Sequence, residues 1–237
     1  MSRQLETPEL HHTHRDVNGG GLRAAIFGAM DGLVSNGALI AGMIGAGAGT
    51  QVAMLAGMAG LVAGAASMAV GEFTSVASQK EAAQKEIAIE RKELRTNRAG
   101  EQEELARLYI ARGVDPTLAH QLAEQIHNDD EVALRIHVLE ELGVDPDDLQ
   151  SPWVAAGSSF LAFCVGALVP LLPLLLGATT ALPTILLTLV ALFGAGAVVT
   201  ALTGRSAWFG GARQLVLGVA AAALSFGIGH LFGVAIS

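Results

Sequence analysis

Cysteine and aromatic side chains are scarce in this chain of 237 residues: it has one cysteine, Cys164, and Phe, Trp and Tyr together make up 5%. A single thiol excludes both a disulfide framework and a thiolate metal cluster. The opening stretch MSRQLETPELHHTHRDV lacks the apolar core of a signal peptide, so no cleavage is expected. His11, His12 and His14 within it read as a solvated arm. The sequence contains no phosphate-binding loop, nucleophile elbow or dinucleotide fingerprint. Neither an enzyme nor a catalytic cofactor is therefore expected, and an ATP-driven step has no site. Charge is also sparse, at 15% of residues, and basic residues are the minority, 14 against 22 acids.

What the chain has instead is apolar mass. It is 51% hydrophobic, with a mean hydropathy of +0.49, too apolar for an ordinary soluble domain. With few aromatics, that mass is Ala, Leu, Val and Gly, which suits helices packed closely inside a bilayer. Crossing the hydrocarbon core takes about 20 apolar residues. Five stretches qualify: Ala24 to Ala48, Val52 to Val70, Trp153 to Leu176, Leu182 to Leu202 and Leu215 to Ile236. The fold class expected is all-α, with five transmembrane spans and a charged helical insert between spans two and three. The divisions are an N-terminal arm (1–21), spans one and two (22–79), the insert (80–150) and spans three to five (151–237).

Basic residues set the orientation. Arg3, Arg15 and Arg23 precede span one, nine Lys or Arg lie from Lys80 to Arg135, and Arg205 and Arg213 lie between spans four and five. All fall on one side if the N-terminus and insert are cytosolic, which puts the C-terminus outside. Within the insert, Gln79 to Arg95 has no Gly or Pro and should continue span two unbroken into the cytosol. Gly100 is expected to interrupt it, and Glu101 to Arg112 to resume. Gly113-Val114-Asp115-Pro116 reads as a turn, with Asp115 or Thr117 as a helix cap. Leu118 to His127 and Glu131 to Leu142 read as two further amphipathic helices, ended by Gly143.

An ionisable residue at membrane depth is costly and marks function by default. Asp31 lies eight residues past Arg23, about 12 Å deeper at the helical rise. Gly28, Ser35, Ala38 and Gly42 share its face as a small-residue stripe where another helix could approach. On span two, Met68, Glu72, Ser75, Gln79, Glu86, Glu90 and Glu93 recur at helical spacing, so one helix would carry a polar and acidic track from the cytosol into the membrane. Glu90 with Glu93, and Glu101 with Glu104, form two ExxE pairs that a turn at Gly100 could fold together. Four converging carboxylates with an imidazole nearby suit Fe²⁺, Mn²⁺ or Zn²⁺. Between Glu81 and Asp148 stand 17 acids against 8 bases, which concentrates cations and disfavours nucleic acid or anionic lipid as partners. Glu124 and His127 make a single ExxH. A di-iron bundle needs two, so His127 reads as an exposed polar residue and a membrane di-iron oxidase is disfavoured. His230, alone in span five, reads as a packing residue.

These stretches resemble the vacuolar iron transporter family. The resemblance runs through HRDVNGGGLRAAIFGAMDGLVSNGALIAGMIGA, AGAASMAVGEFTSVASQ, ERKELRTNRAGEQEELARLYIARGVDP, EELGVDP and GALVPLLPLLL, nearly the whole chain. It implies a five-helix homodimer exchanging divalent metal for protons, with a path lined by Asp31, Met68 and Glu72. It also implies a cytosolic metal site built from Glu90, Glu93, Glu101, Glu104 and Glu141. A Met-Met pair of that pattern is His137 and Val138 here, which puts metal preference in doubt; Met30 before Asp31, where many relatives have Asn, is a smaller departure. His137 and Glu141 are i, i+4 and can face one ion.

The expected function is export of Fe²⁺, and of Mn²⁺ beside it, from the cytosol in exchange for protons. A manganese-specific exporter and a membrane-anchored iron buffer or sensor are the alternatives; an acid within a span weighs against the buffer. The membrane would be the plasma membrane in a bacterium and the vacuolar membrane in a eukaryote.

Overall fold

The computed structural model describes residues 20–236, so the N-terminal arm with His11, His12 and His14 lies outside the described residues. All regular structure among the described residues is helical. The order is α1 (Gly20–Gly45), α2 (Thr50–Thr96), α3 (Arg98–Ala111), α4 (Pro116–Ile126), α5 (Asp130–His137), a π-helical turn (Val138–Leu142), α6 (Pro152–Leu175), α7 (Leu182–Leu202) and α8 (Ala207–Ile236). Stretches of α1, α2, α6, α7 and α8 are long and apolar enough to cross a membrane.

Glycine sets how closely the membrane helices approach. A methyl group at Gly166 of α6 would overlap the carbonyl oxygen of Ala29, and one at Gly32 of α1 would overlap that of Phe163. The α1–α6 crossing is therefore backbone against backbone, as small residues permit where lipid supplies no hydrophobic drive. The expected small-residue stripe beside Asp31 divides between two neighbours. A Cβ at Gly28 would sit 2.6 Å from the Ser159 carbonyl of α6, and one at Gly42 would sit 2.5 Å from the Ser225 hydroxyl of α8. Near the far end of α1, Ile40 packs with Ala53, Leu171 and Leu174 from α2 and α6.

Helix α2 runs 47 residues without interruption, about 70 Å at 1.5 Å per residue, and so carries span two into the insert as the sequence suggested. Its break differs from the expected one. The chain turns at Asn97 (φ −140°, ψ 44°), and Gly100 lies inside α3, where a side chain would collide with that of Asn97. Gly100 thus leaves room for the Asn97 side chain without being the pivot of the corner. Asp115 caps α4, accepting from the N–H groups of Thr117 and Leu118, and Asp129 caps α5 in the same way. Gly143 ends the π-helical turn at φ 68°, where a side chain would be strained. The insert has its own core of Leu94, Ala133, Leu134 and Val138. Arg91–Glu131 (3.4 Å) and Arg98–Asp130 (2.5 Å) set α5 against the α2–α3 corner. Span five begins earlier than its uncharged run, because α8 starts at Ala207 and takes Arg213 into its first turns.

The close crossing is testable with single methyl groups. Gly166→Ala should lower thermal stability in detergent by on the order of 1–3 kcal/mol, the usual penalty of overpacking. Gly157→Ala, in the same helix with open space around it, should be neutral or slightly stabilising. Equal melting temperatures for the two variants would contradict the backbone-on-backbone contact.

Candidate metal centre

Three ligand-bearing residues meet where α2, α3 and α5 converge. Glu90, Glu101 and His137 each place a ligand atom within 4.8 Å of the others, and all three are buried. Glu90 comes from the last turns of α2, Glu101 from the first turn of α3, and His137 from the end of α5. The corner at Asn97 brings the two glutamates together. His137 Nδ1 lies 3.1 Å from Glu90 Oε1 and 3.0 Å from Glu141 Oε1, so a fourth group reaches the same point from the π-helical turn. Continuing α5 as a π-turn shifts Glu140 and Glu141 around the axis. Glu140 then pairs with Arg112 and lies 3.3 Å from the Tyr109 hydroxyl, while Glu141 faces His137.

The electrostatics of this cluster favour a cation. Burial first, then the charges of Glu141, Glu101, Glu93 and Glu104, push the Glu90 carboxyl from 4.5 up to about 7. Burial and the neighbouring acids also raise Glu101, against the opposing pull of His137. Glu90 Oε1, 3.1 Å from His137 Nδ1, makes no well-formed hydrogen bond, a costly condition that an ion among these groups would relieve; His137 Nε2, on the other side of the ring, is also buried without a partner. Carboxylate oxygens with one imidazole suit Fe²⁺, Mn²⁺ and Zn²⁺ alike.

Of each ExxE pair only one member is inside: Glu93 and Glu104 are exposed, as is Glu86 one turn before Glu90. His127 corrects the sequence reading. It is 3% exposed, with its ring edge-on to that of His137 at 5.3 Å between centroids. Its Nδ1–H donates to the Ala123 carbonyl at 2.8 Å, leaving a buried Nε2 lone pair without a partner. The available signal was its position at the end of an amphipathic helix, on the same face as Ala119 and Ala123.

A second polar place lies within the spans. Asp31, Ser35 and Asn36 of α1 and Met68 and Ser67 of α2 line a cavity of about 270 Å³, floored by Gly60, Gly64 and Phe163. Asp31 and Met68 thus line one space. Glu72 stands one turn further toward the insert, outside that lining, and is paired with Arg23 at 3.5 Å. His230 stacks on Phe226 with its ring nearly parallel (8°).

A family model described as the VIT family matches residues 22–230. The chain belongs to the VIT family. Among curated members, the vacuolar iron transporter of Acanthamoeba castellanii is 38% identical over 220 residues, covering 90% of this chain and 78% of that protein. Vacuolar iron transporter 2 of Oryza sativa subsp. japonica is 31% identical over 226 residues, covering 94% and 90%. Vacuolar iron transporter homolog 1 of Arabidopsis thaliana is 32% identical over 221 residues, covering 90% and 83%. The VIT match extends across the insert and all five apolar helices, so both polar places lie in the part of the chain shared with the family.

Glu90 gives this VIT-family insert a pH dependence of definite sign. A carboxyl raised from 4.5 to about 7 keeps its proton in the folded state where the unfolded chain has already ionised. The folded state binds more protons in that window, so stability falls as pH rises through it. Without metal, the protein should melt progressively lower between about pH 5 and pH 8, and Glu90→Gln should flatten that fall. Thermal unfolding in chelator across this range is the measurement; parallel curves for the two proteins would contradict the burial of a proton-retaining acid.

Proposed function

We propose that this protein moves divalent metal, Fe²⁺ first, out of the cytosol in exchange for protons. The observation that carries the proposal is the pairing of two polar places along one rod. Helix α2 holds Glu90 in the buried cluster and Met68 opposite Asp31, 22 residues or about 33 Å apart. The relatives' names supply iron as the first candidate cargo.

The insert captures the ion with Glu90, Glu101, His137 and Glu141, while Glu93 and Glu104 add negative charge around them. Asp31, Met68 and Glu72 then line the route through the bilayer. Metal and proton compete for the same carboxylate oxygens, which allows one acid to couple the two flows. The N-terminus and insert are cytosolic and the C-terminus is on the other side, in keeping with the basic residues. The protein works as a homodimer. Ser35 and Ser67 on the cavity rim are exposed on the single chain, and a polar rim around an acid at membrane depth calls for protein rather than lipid over it. A membrane-anchored buffer would have no use for Asp31 in its cavity.

His137 favours a wider cargo range. An imidazole with carboxylates makes a harder set than one containing thioethers, which extends tolerance toward Mn²⁺ and Zn²⁺.

Two experiments follow. In proteoliposomes, Asp31→Ala and Glu72→Ala should each reduce Fe²⁺ uptake to background while the dimer stays intact by size exclusion; uptake at the unmodified rate by both would remove the proposed route. Replacing Glu90, Glu93, Glu101 and Glu104 together with Ala should abolish high-affinity binding to the purified protein but only slow transport. In the second, Fe²⁺ affinity of the full chain is titrated at several pH values. Imidazole loses its ligand lone pair to a proton in mildly acid solution and thioether does not. His137→Met should therefore make the loss of affinity on acidification shallower, the carboxylates supplying the rest. Superimposable curves would take His137 out of the ligand set.

A further inference from the structure

Asn36 is among the most deeply buried polar residues of the spans, 2% exposed, and the route described above assigns it nothing. Its two amide atoms have different surroundings. Nδ2 donates to the Ala167 carbonyl of α6 at 2.7 Å. A carbonyl only accepts, so this bond fixes which end of the amide is nitrogen. Ala167 lies three residues before Pro170, in a stretch of α6 that contains Pro170 and Pro173. The opposite end, Oδ1, is therefore directed away from α6. It lies against α2, where a Cβ at Gly60 would be 3.1 Å from it, and it has no hydrogen-bond partner.

Asn36 and Gly60 both line the cavity that contains Asp31 and Met68. An amide oxygen deprived of water and of a donor is unfavourable unless something else completes it. If Asn36 served only to tie α1 to α6, the Nδ2 bond would suffice and the oxygen's placement would be a loss. A divalent cation is the class of ligand that uses a lone carbonyl oxygen, a carboxylate and a thioether together.

Resting on the transport reading, we propose that Asn36 Oδ1 is a direct ligand of the divalent cation in transit and, with Asp31 and Met68, forms a mid-membrane site. The set carries one negative charge against two positive. Such a site replaces part of the hydration shell without holding the ion so tightly that it cannot leave. The thioether favours first-row transition ions over Mg²⁺ and Ca²⁺, and the amide oxygen supplies a ligand of fixed position with no charge of its own. Oδ1 shares the space over Gly60 with the Leu39 side chain, so a change of the Leu39 rotamer is what opens Oδ1 to the cavity.

The test separates the two ends of the amide. Asn36→Leu removes both donor and acceptor. Asn36→Asp removes the donor to Ala167 but keeps an oxygen facing the cavity. Initial rates of Fe²⁺ and Mn²⁺ uptake are measured in proteoliposomes over a range of metal concentration, with Asp31→Ala as a control. Asn36→Leu should raise KM at least about tenfold, and Asn36→Asp should keep KM at or below the unmodified value despite a lower melting temperature. Equal, large rises in KM for both variants, or an unchanged KM for Asn36→Leu, overturn the assignment. If Asn36→Leu does not assemble, the KM of Asn36→Asp decides alone: near or below the unmodified value it supports the ligand role, and tenfold above it excludes that role. Normal uptake by Asp31→Ala is a different failure, because it removes the route itself rather than Asn36's place in it.

Discussion

A helix crossing lipid must satisfy its backbone within itself, and α2 does so without a break from Thr50 to Thr96. That continuity relates the two polar places of the molecule to each other. A flexible joint after the second span would let the insert and the spans move independently, and the distance from Glu90 to Met68 would have no fixed value. As one rod, α2 fixes the depth of Met68 relative to Asp31 at one end and presents Glu90 to α3 and α5 at the other. The close α1–α6 contact at Gly32 and Gly166 supports the same arrangement from the opposite wall of the cavity.

The two places solve different electrostatic problems. In the insert, burial first and then the charges of neighbouring acids push one carboxyl, Glu90, up to about 7, so that it keeps its proton to near neutrality. On the proposed reading, metal would replace that proton and relieve the repulsion, which would link affinity to proton release at this point. Within the spans a single acid is accompanied by neutral oxygens and a sulfur, a set suited to brief occupancy. On the proposed reading, a strongly acidic insert beside a weakly charged cavity within the spans would give a gradient of holding strength along one helix.

Hydropathy and helical spacing made the spans and the unbroken α2 legible in the sequence, whereas the association of Asp31 with Met68 came only from the family resemblance. The first two depend on short-range periodicity and on the cost of charge in lipid, which any single helix reports. What depends on three helices meeting was less legible. The corner falls at Asn97 because the Asn97 side chain packs over Gly100, a contact that composition does not reveal. One Glu of each ExxE pair is buried and one exposed because α3 approaches α2 from one side only. His127 is buried against His137 because α4 and α5 fold back on each other, whereas its i, i+3 partner Glu124 is exposed. The orientation of the Asn36 amide depends on a carbonyl 131 residues away and has no sequence signature at all.

The central claim is that metal and protons move in opposite directions through one route. It is tested most directly by trapping a pH-sensitive dye inside proteoliposomes whose interior is acidic and adding Fe²⁺ to the side that bears the insert. The interior should become more alkaline in proportion to the iron taken up, and collapsing the pH gradient should slow uptake. Iron entry at the same rate with and without the gradient, and with no change in interior pH, would contradict it.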